Sequence, residues 1–266
     1  MEPTNNIKDT AEAVKGIVEA VPIYQDLLQP AAQELGKGVH TLSKTVHIAL
    51  APISALVWGY EQISEYLQIS LEDRLKNIPK GNIIPPDPSI AGPAIDGLRY
   101  TGHKKEPREM FSNLIASSMD KNTAMKAHPS FVDIIQQINI DEAKIIKLLD
   151  NNQSKALVNM RAFNQEDDHY LEPLRNFSVI PNLAGCEYPE LGPSYIVNLQ
   201  RLGLIDISKT SYSTLPNSYE PILEHPEIIS TQKFFESKGK RVEIVRGSFT
   251  RTAFGEKFYE SCILEK

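Results

Sequence analysis

Few residues of the chain have the types and the spacing that catalysis or metal binding requires. His40 and His47 lie seven positions apart and could share one face of a helix. Metal ligands on a helix are usually three or four positions apart, as in H-E-x-x-H, so we expect both to be ordinary polar or packed side chains. The acidic run 166–169, EDDH, could hold a cation, but such a run is more often a solvated loop. The sequence therefore predicts no metal site.

The patterns that mark common enzymes are also missing from the sequence. It contains no Gly-rich phosphate loop, no G-x-S-x-G elbow and no paired-carboxylate motif. Cys186 and Cys262 are too few for a disulfide framework and do not have metal-ligand spacing, which fits a reducing cytoplasm. We therefore expect a protein that is not an enzyme and that has no cofactor.

Length and charge narrow the class of protein further. The chain has 266 residues, enough for one large domain or two small ones, and a net charge of −6. The acidic balance argues against a general nucleic-acid binder. Residues 1–14 lack the basic-then-apolar layout of a secretory signal. We expect a cytoplasmic protein, with membrane association on activation left open.

One stretch, Leu28 to Ile78, has the spacing of a single very long helix on which the other elements would be arranged. Its middle, Thr45 to Tyr60, carries no formal charge, and Pro52 within it predicts a kink. We call residues 45–60 the uncharged window. The side chains in it that would contact a membrane or a partner are Val46, Leu50, Ile53, Val57, Trp58 and Tyr60.

A helix that is apolar all round is buried in protein or in lipid. The uncharged window has 16 residues, whereas a membrane-spanning helix needs about 20 mainly apolar ones. We therefore favour a helix in the protein core. The alternatives are a segment that enters a membrane in an activated state, and a helix lying at the membrane surface.

The remaining elements predict two domains. Helices are expected at residues 108–119, at 129–138 after Pro129, and from Asp141 onwards with Asn139 or Asp141 as its cap. Later, a helix at 193–202, β-type runs at 204–208 and 240–252 with a turn at Arg246-Gly247, and a last helix follow the order of a winged-helix module. The predicted fold class is mainly α: a helical bundle built on one long helix at 1–138, then a winged-helix-like α+β domain at 139–266.

Winged helices read DNA through a recognition helix. The candidate here is the helix at 193–202, and Tyr195, Asn198 and Arg201 are its candidate nucleic-acid contacts. Because it offers a single arginine and the chain is acidic, we favour a structural or protein-docking role for this region, with nucleic acid as the second possibility.

Six segments are related to one known family by their shared order and spacing. They are YQDLLQPAAQELGK (24–37), ALAPISALVWGYEQI (49–63), SIAGPAIDGLRYTG (89–102), REMFSNLIASSMD (108–120), AHPSFVDIIQQI (127–138) and NLQRLGLI (198–205). Together they resemble the abortive-infection alpha (Abi-alpha) family, a bacterial domain of unknown biochemical function linked to phage defence. The resemblance implies a protein that halts an infected cell, and it implies no catalytic residues.

Two functional hypotheses follow. The first is a non-enzymatic defence effector that perturbs the inner membrane through the uncharged window. The alternative is a winged-helix sensor or regulator that binds nucleic acid or a partner protein. The trigger, whether a phage component or a host protein, and the formation of a homo-oligomer stay open.

Overall fold

The computed structural model describes residues 57–149, 153–164, 169–208, 213 and 216–264. Of the predicted contact residues in the uncharged window, Val46, Leu50 and Ile53 lie outside the described residues. His40, His47 and positions 166–168 lie outside them as well.

The described chain begins with five α-helices, and two of them start at a side-chain cap. Asp87 precedes the second helix, and its carboxylate accepts the amide hydrogen of Ser89 at 2.8 Å. Asn139 and Glu142 form a reciprocal capping box, each side chain accepting the other's backbone amide at 2.8 Å. The helices are α1 Tyr60–Leu75, α2 Pro88–Thr101, α3 Lys105–Met119, α4 Ser130–Gln137 and α5 Ile140–Leu148.

Helix α3 lies at the centre of these helices, because every residue from Met110 to Ser118 is buried. Phe111 and Leu114 have no exposed surface and pack into the main hydrophobic core. The helices α1 and α2 contribute Ile63 and Leu98 to the same core. A helix buried on all sides belongs in the interior of a protein.

The later part of the chain forms a four-stranded antiparallel sheet in the order β2-β1-β4-β3. The central strands β1 and β4 pair along the whole of β1. The strands are β1 Lys155–Phe163, β2 Tyr170–Phe177, β3 Ile205–Ser208 and β4 Arg241–Arg251. The helices among them are α6 Ile180–Leu183, α7 Gly192–Arg201, α8 Glu220–Leu223, α9 Pro226–Ser237 and α10 Ala253–Phe258, which continues as a π-helical turn Tyr259–Ile263.

Strand β1 is buried on both faces because helices cover both sides of the sheet. Leu157 belongs to the main core, together with Leu199 of α7. Val158 and Met160 belong to a second core that includes Ile222 and Ile228 from the helices α8 and α9. Neighbouring residues of a strand point to opposite faces, so α7 lies on the face of Leu157 and the pair α8–α9 on the other.

The predicted long helix is wrong at residues 57–59, although its part from Tyr60 to Leu75 is the helix α1. The described chain is not helical at 57–59, and α1 begins only at Tyr60. Gly59 has the extended backbone of an N-cap, with φ −76° and ψ 167°. The amide of Trp58 donates to the carbonyl oxygen of Arg99 at 2.9 Å, so the chain here bonds to α2 instead of to a preceding helical turn. The structure therefore shows no bundle built on one long helix.

The predicted winged helix is also wrong. The strands β3 and β4, which follow the predicted recognition helix, do pair antiparallel, but α8 and α9 lie between them in the chain. Strand β4 also runs through Arg246-Gly247 without the predicted turn. The sequence prediction also missed the role of β1, which lies at the centre of the sheet and separates β2 from β4. The fold class is instead ten α-helices with a four-stranded antiparallel sheet in the described part.

The main hydrophobic core contains residues from both sides of the predicted boundary at 138/139, such as Leu114 and Leu157. The division into domains 1–138 and 139–266 stays a prediction, because most of the first domain's predicted long helix lies outside the described residues. Among the helices that the structure describes, none combines the length and the apolar character needed to cross a bilayer.

Candidate functional site

Trp58, at the end of the uncharged window, is buried against the rest of the protein. Only 9 % of its surface is exposed. Its ring meets Tyr66 of α1 edge-on at 5.5 Å between centroids. The guanidinium of Arg108 lies 5.8 Å from the Trp58 ring centre and 5.1 Å from that of Tyr66, so one cation interacts with two aromatic faces. We call Trp58, Tyr66, Gly102 and Arg108 the Trp58 cluster.

Gly102 is required at this place because the indole passes directly over it. A methyl group at position 102 would lie 2.5 Å from two ring atoms of Trp58. Of the other predicted window contacts in the described chain, Val57 is half-buried and Tyr60 is 80 % exposed. The end of the window thus has one residue docked in the protein and one facing outwards.

A second polar centre is built on Asp141, in the first turn of α5. Its carboxylate accepts the amide hydrogens of Glu187 at 2.9 Å and Tyr188 at 3.0 Å. It also accepts from the hydroxyl of Tyr195 at 3.2 Å and from Lys144 Nζ at 3.1 Å. Asp141 is buried, and these bonds fix the loop before α7, and α7 itself, against α5.

The ionisation of these groups follows from their surroundings. Burial of Asp141 disfavours its charge, but the hydrogen bonds from Glu187, Tyr188 and their neighbours outweigh burial and lower its pKa. Burial, together with the bond to Asp141, raises the pKa of Tyr195 to about 12. Burial and the charge of Asp141 raise the pKa of Cys186 to about 11. Near neutral pH the site therefore holds a carboxylate, a phenol and a thiol.

The three predicted nucleic-acid contacts all lie on α7 but face different ways. Tyr195 is 5 % exposed and bonds inwards to Asp141. Asn198 Nδ2 donates a hydrogen bond to Glu142 Oε1 at 2.8 Å. Burial of Glu142 raises the pKa of its carboxyl group. Arg201 is exposed and donates to Asn198 Oδ1 and, at 3.1 Å, to Gln137 Oε1. Their contact with nucleic acid stays a prediction.

Sequence reasoning missed Asp141 and Glu142 as the partners of α7. One signal was available, because the N-x-x-E pattern of residues 139–142 is that of a capping box and places Glu142 at a fixed point of the first turn. No signal marked Asp141 as the acceptor of backbone amides from a loop 46 positions away.

A groove runs between the exposed side of α7 and strand β2, with a volume of about 480 Å³. We call it the α7–β2 groove. Asn159 of β1 forms part of its lining and is 3 % exposed. At this point the β1–β2 register shifts, and Asn176 adopts a left-handed backbone with φ 51°. Asn159 Oδ1 accepts the amide hydrogen of Asn176 at 2.8 Å and so stabilises the bulge. The residues that line the groove further include Arg175, Ser194, Val197, Asn198 and Arg201.

The described residues fold into a mixed unit of α-helices and a four-stranded antiparallel sheet. The model of the abortive infection alpha family matches residues 59–262, and the chain belongs to that family. The resemblance to this family is therefore confirmed, although the segment 24–37 and most of the segment 49–63 lie outside the matched residues. At the level of the family, the protein has a role in abortive infection, a form of phage defence.

Other comparisons add little. No protein of curated function matches the chain. Among solved structures, an uncharacterized protein from the hydrocarbon-degrading marine bacterium Alcanivorax borkumensis SK2 is similar with 16% sequence identity and a TM-score of 0.36. The match covers 52% of this chain and 93% of that one.

Proposed function

We propose that this family member is a non-enzymatic effector of abortive infection that acts on the inner membrane through its uncharged window, and that the Trp58 cluster restrains the window until infection. The observation that carries the proposal is the burial of Trp58 at the end of the window. The ring that would otherwise lie at a membrane interface is held by Tyr66 and Arg108 within the protein.

The free energy that holds Trp58 in its cluster can be compared with the free energy that a bound trigger would supply. Replacing a buried tryptophan by alanine typically costs about 3–5 kcal/mol, and a partly buried cation–π contact adds about 1 kcal/mol. A phage component that binds only the released form and is present at about 1,000 times its dissociation constant would shift the equilibrium by about 4.1 kcal/mol. The free energy that such a trigger supplies is therefore comparable with the restraint.

The proposal is tested by dye release from anionic lipid vesicles and by membrane potential in cells. Trp58→Ala removes the buried ring, whereas Tyr60→Ala removes an aromatic that is already exposed and serves as the matched control. Gly102→Ala displaces the indole while leaving it in the chain. We expect Trp58→Ala and Gly102→Ala to release dye at protein concentrations where the wild type and Tyr60→Ala do not.

Circular dichroism and thermal unfolding establish that each variant is folded before the comparison. Folded Trp58→Ala and Gly102→Ala proteins that release no more dye than Tyr60→Ala would contradict the proposal. So would cells that stop growing on infection while their membrane potential stays intact, because killing would then occur by another route.

A further inference from the structure

We propose that a surface beside the Asp141 centre binds a partner protein, through a segment of that protein which combines apolar side chains with lysine or arginine. The surface is formed by α6, the loop before α7 and the start of α5, and we call it the α6 surface. The proposal goes beyond membrane action and does not depend on it, because the α6 surface and the Trp58 cluster have no residue in common. The residues of the α6 surface are Ile140, Leu183, Glu187, Tyr188, Glu190 and Leu191.

The α6 surface exposes large apolar side chains that the described part of the chain does not cover. Leu183 is 67% exposed, Tyr188 50% and Leu191 47%. They lie close together, because the amide of Leu191 donates to the carbonyl oxygen of Tyr188 at 3.1 Å and the turn Pro189–Leu191 contacts α6. Single exposed apolar residues are ordinary, whereas a group of them on one surface is typical of a site of protein interaction.

The loop that carries these side chains is fixed by the polar centre beneath it. The backbone amides of Glu187 and Tyr188 donate to the buried carboxylate of Asp141 at 2.9 and 3.0 Å. Lys144 Nζ donates to the carbonyl oxygen of Gly185 at 3.0 Å. A loop that is ordered before binding loses less conformational entropy when it binds. The Asp141 centre therefore gives the α6 surface the preorganised shape that favours a protein interface.

Tyr188 also lines a cavity of about 270 Å³. The apolar part of its lining includes Pro107, Ile138 and Ile140, and Ile140 is exposed at its edge. The volume is below the range of sites for small organic molecules, about 300–1,000 Å³. An apolar side chain of a partner protein fits such a cavity better than a free ligand does, and side chains buried in pockets make the strongest contacts of protein interfaces.

The charge around the exposed phenol of Tyr188 is negative. Residues 176–200 contain two glutamates, Glu187 and Glu190, and neither lysine nor arginine. The nearby carboxylate of Glu187, followed by those of Glu190 and Asp141, raises the pKa of Tyr188. Lys104 is the one cation in the lining of the cavity, against the carboxylates of Asp141 and Glu187. The exposed apolar side chains of the α6 surface therefore have an acidic edge.

This charge distinguishes between the possible partners. An anionic membrane surface and a nucleic-acid backbone both carry negative charge, so the carboxylates would repel them. A protein segment with lysine or arginine would be attracted instead, and its cation can pack on the ring of Tyr188 beside Glu187 and Glu190. The apolar side chains and the acidic edge together fit a basic, amphipathic protein segment.

The test measures the fluorescence anisotropy of labelled peptides during titration with the full chain. The probe is an amphipathic helix made only of leucine and lysine. The controls are the same helix with glutamate in place of lysine, and a peptide of leucine and lysine whose order forms no apolar face. We expect the amphipathic leucine–lysine helix to bind more tightly than both controls. In NMR spectra of the wild type, it should shift the methyl signals of Ile140, Leu183 and Leu191 but not that of Ile69, which is exposed on α1.

A double variant tests the apolar contacts. Leu183→Ala combined with Leu191→Ala should weaken binding of the leucine–lysine helix about tenfold or more, because the apolar area that the helix would cover is lost. Ile69→Ala combined with Phe234→Ala removes two side chains that are exposed elsewhere, on α1 and α9. This matched control should bind like the wild type.

A second double variant separates the acidic edge from the acidity of the whole chain. Glu187→Gln combined with Glu190→Gln should weaken binding about threefold to tenfold at low salt, and the difference should shrink at high salt. Glu61→Gln combined with Glu65→Gln changes the net charge by the same amount at two exposed positions of α1. We expect this control to bind like the wild type.

Circular dichroism establishes that each variant is folded, and the NMR shifts of the wild type test the proposal without any variant. Three results would overturn it: equal binding of the leucine–glutamate helix, surface variants that bind as tightly as their controls, and methyl signals of the α6 surface that do not shift. Sedimentation equilibrium supplies a fourth. A dimer of the wild type that the double variant of Leu183 and Leu191 abolishes would assign the α6 surface to a second copy of this chain.

Discussion

The substitution Asp141→Asn tests whether the Asp141 centre holds α7 and its preceding loop in place. The two backbone donors approach different oxygens, Glu187 bonding to Oδ1 and Tyr188 to Oδ2. An asparagine has only one acceptor oxygen, so in either orientation one backbone amide would face an NH₂ group. Leaving one such donor unpaired and weakening the other bonds should cost about 2–4 kcal/mol.

The assay is urea unfolding at neutral pH, with Asp96→Asn as the control because Asp96 is an exposed acid on α2. A free energy of unfolding for Asp141→Asn within about 0.5 kcal/mol of the wild type, the range of ordinary surface substitutions, would refute the reasoning. It would mean that the loop and α7 are held mainly by apolar packing.

The same carboxylate makes a testable contribution to acid stability. Burial opposes its ionisation, but the amide and hydroxyl donors lower its pKa in the folded protein. Folding therefore favours the ionised form of Asp141. Its contribution to the free energy of unfolding is fully present above the pKa of the unfolded chain's aspartate, about 3.9. It is lost as the pH falls through the lower, folded pKa. The stability gap between wild type and Asp141→Asn should narrow in that acid range and stay constant from about pH 5 to 7.

Three further predictions concern single positions. Gly97→Ala should destabilise the protein by about 1–3 kcal/mol, because the added methyl would lie 2.5 Å from the buried ring of Phe111. Gly92→Ala on the same helix meets nothing within 4 Å and should stabilise the protein by about 0.5–1 kcal/mol. Thermal unfolding that ranks the two variants the other way would contradict this packing. The pKa of Cys186 is raised from 9.0 to about 11. Its thiol should therefore react with iodoacetamide at pH 7 roughly 100-fold more slowly than an ordinary thiol. A reaction rate like that of an ordinary thiol, measured by mass spectrometry, would contradict this prediction. Tyr195→Phe should cost about 1 kcal/mol in urea unfolding by removing one donor to the carboxylate, and no change would show that this bond adds nothing net.

Local elements were predictable because their signals lie close together in the chain. The helix expected at 108–119 is α3, Lys105–Met119, and the one expected at 193–202 is α7, Gly192–Arg201. Gly203, just after α7, has a left-handed backbone with φ 73°, as glycines at helix ends often do. The β-type runs became β3 and β4. Periodicity and capping act within a few residues, so sequence reasoning can find them.

The pairing of the strands was not predictable in this way. Strand β1 bonds to β4, with Lys155 opposite Phe249 and Phe163 opposite Arg241, across most of the C-terminal half of the chain. A strand buried on both faces has no alternation of polar and apolar residues to mark it. The winged-helix prediction relied on the order of elements alone. The strands β3 and β4 do pair antiparallel, but β4 also pairs along β1 in a four-stranded sheet that the prediction did not contain.

The sequence also did not reveal that α3 is the helix at the centre of the described fold. Sequence reasoning expected the core helix at the uncharged window because that stretch carries no formal charge. The central helix α3 instead contains the buried polar residues Ser112, Asn113 and Ser117. These side chains are compatible with burial because each has a partner. Asn113 donates to the carbonyl oxygen of Cys262, and Ser117 to that of Ser261, both at 2.9 Å.

Those two carbonyl oxygens lie near the end of the π-helical turn Tyr259–Ile263, and the last carbonyl oxygens of a helix have no donor within it. The side chains of α3 therefore bond to carbonyl oxygens that their own helix leaves unpaired. The polar helix α3 can lie at the centre of the described fold because the turn Tyr259–Ile263 supplies its acceptors. An apolar helix in its place would leave those two oxygens without these donors.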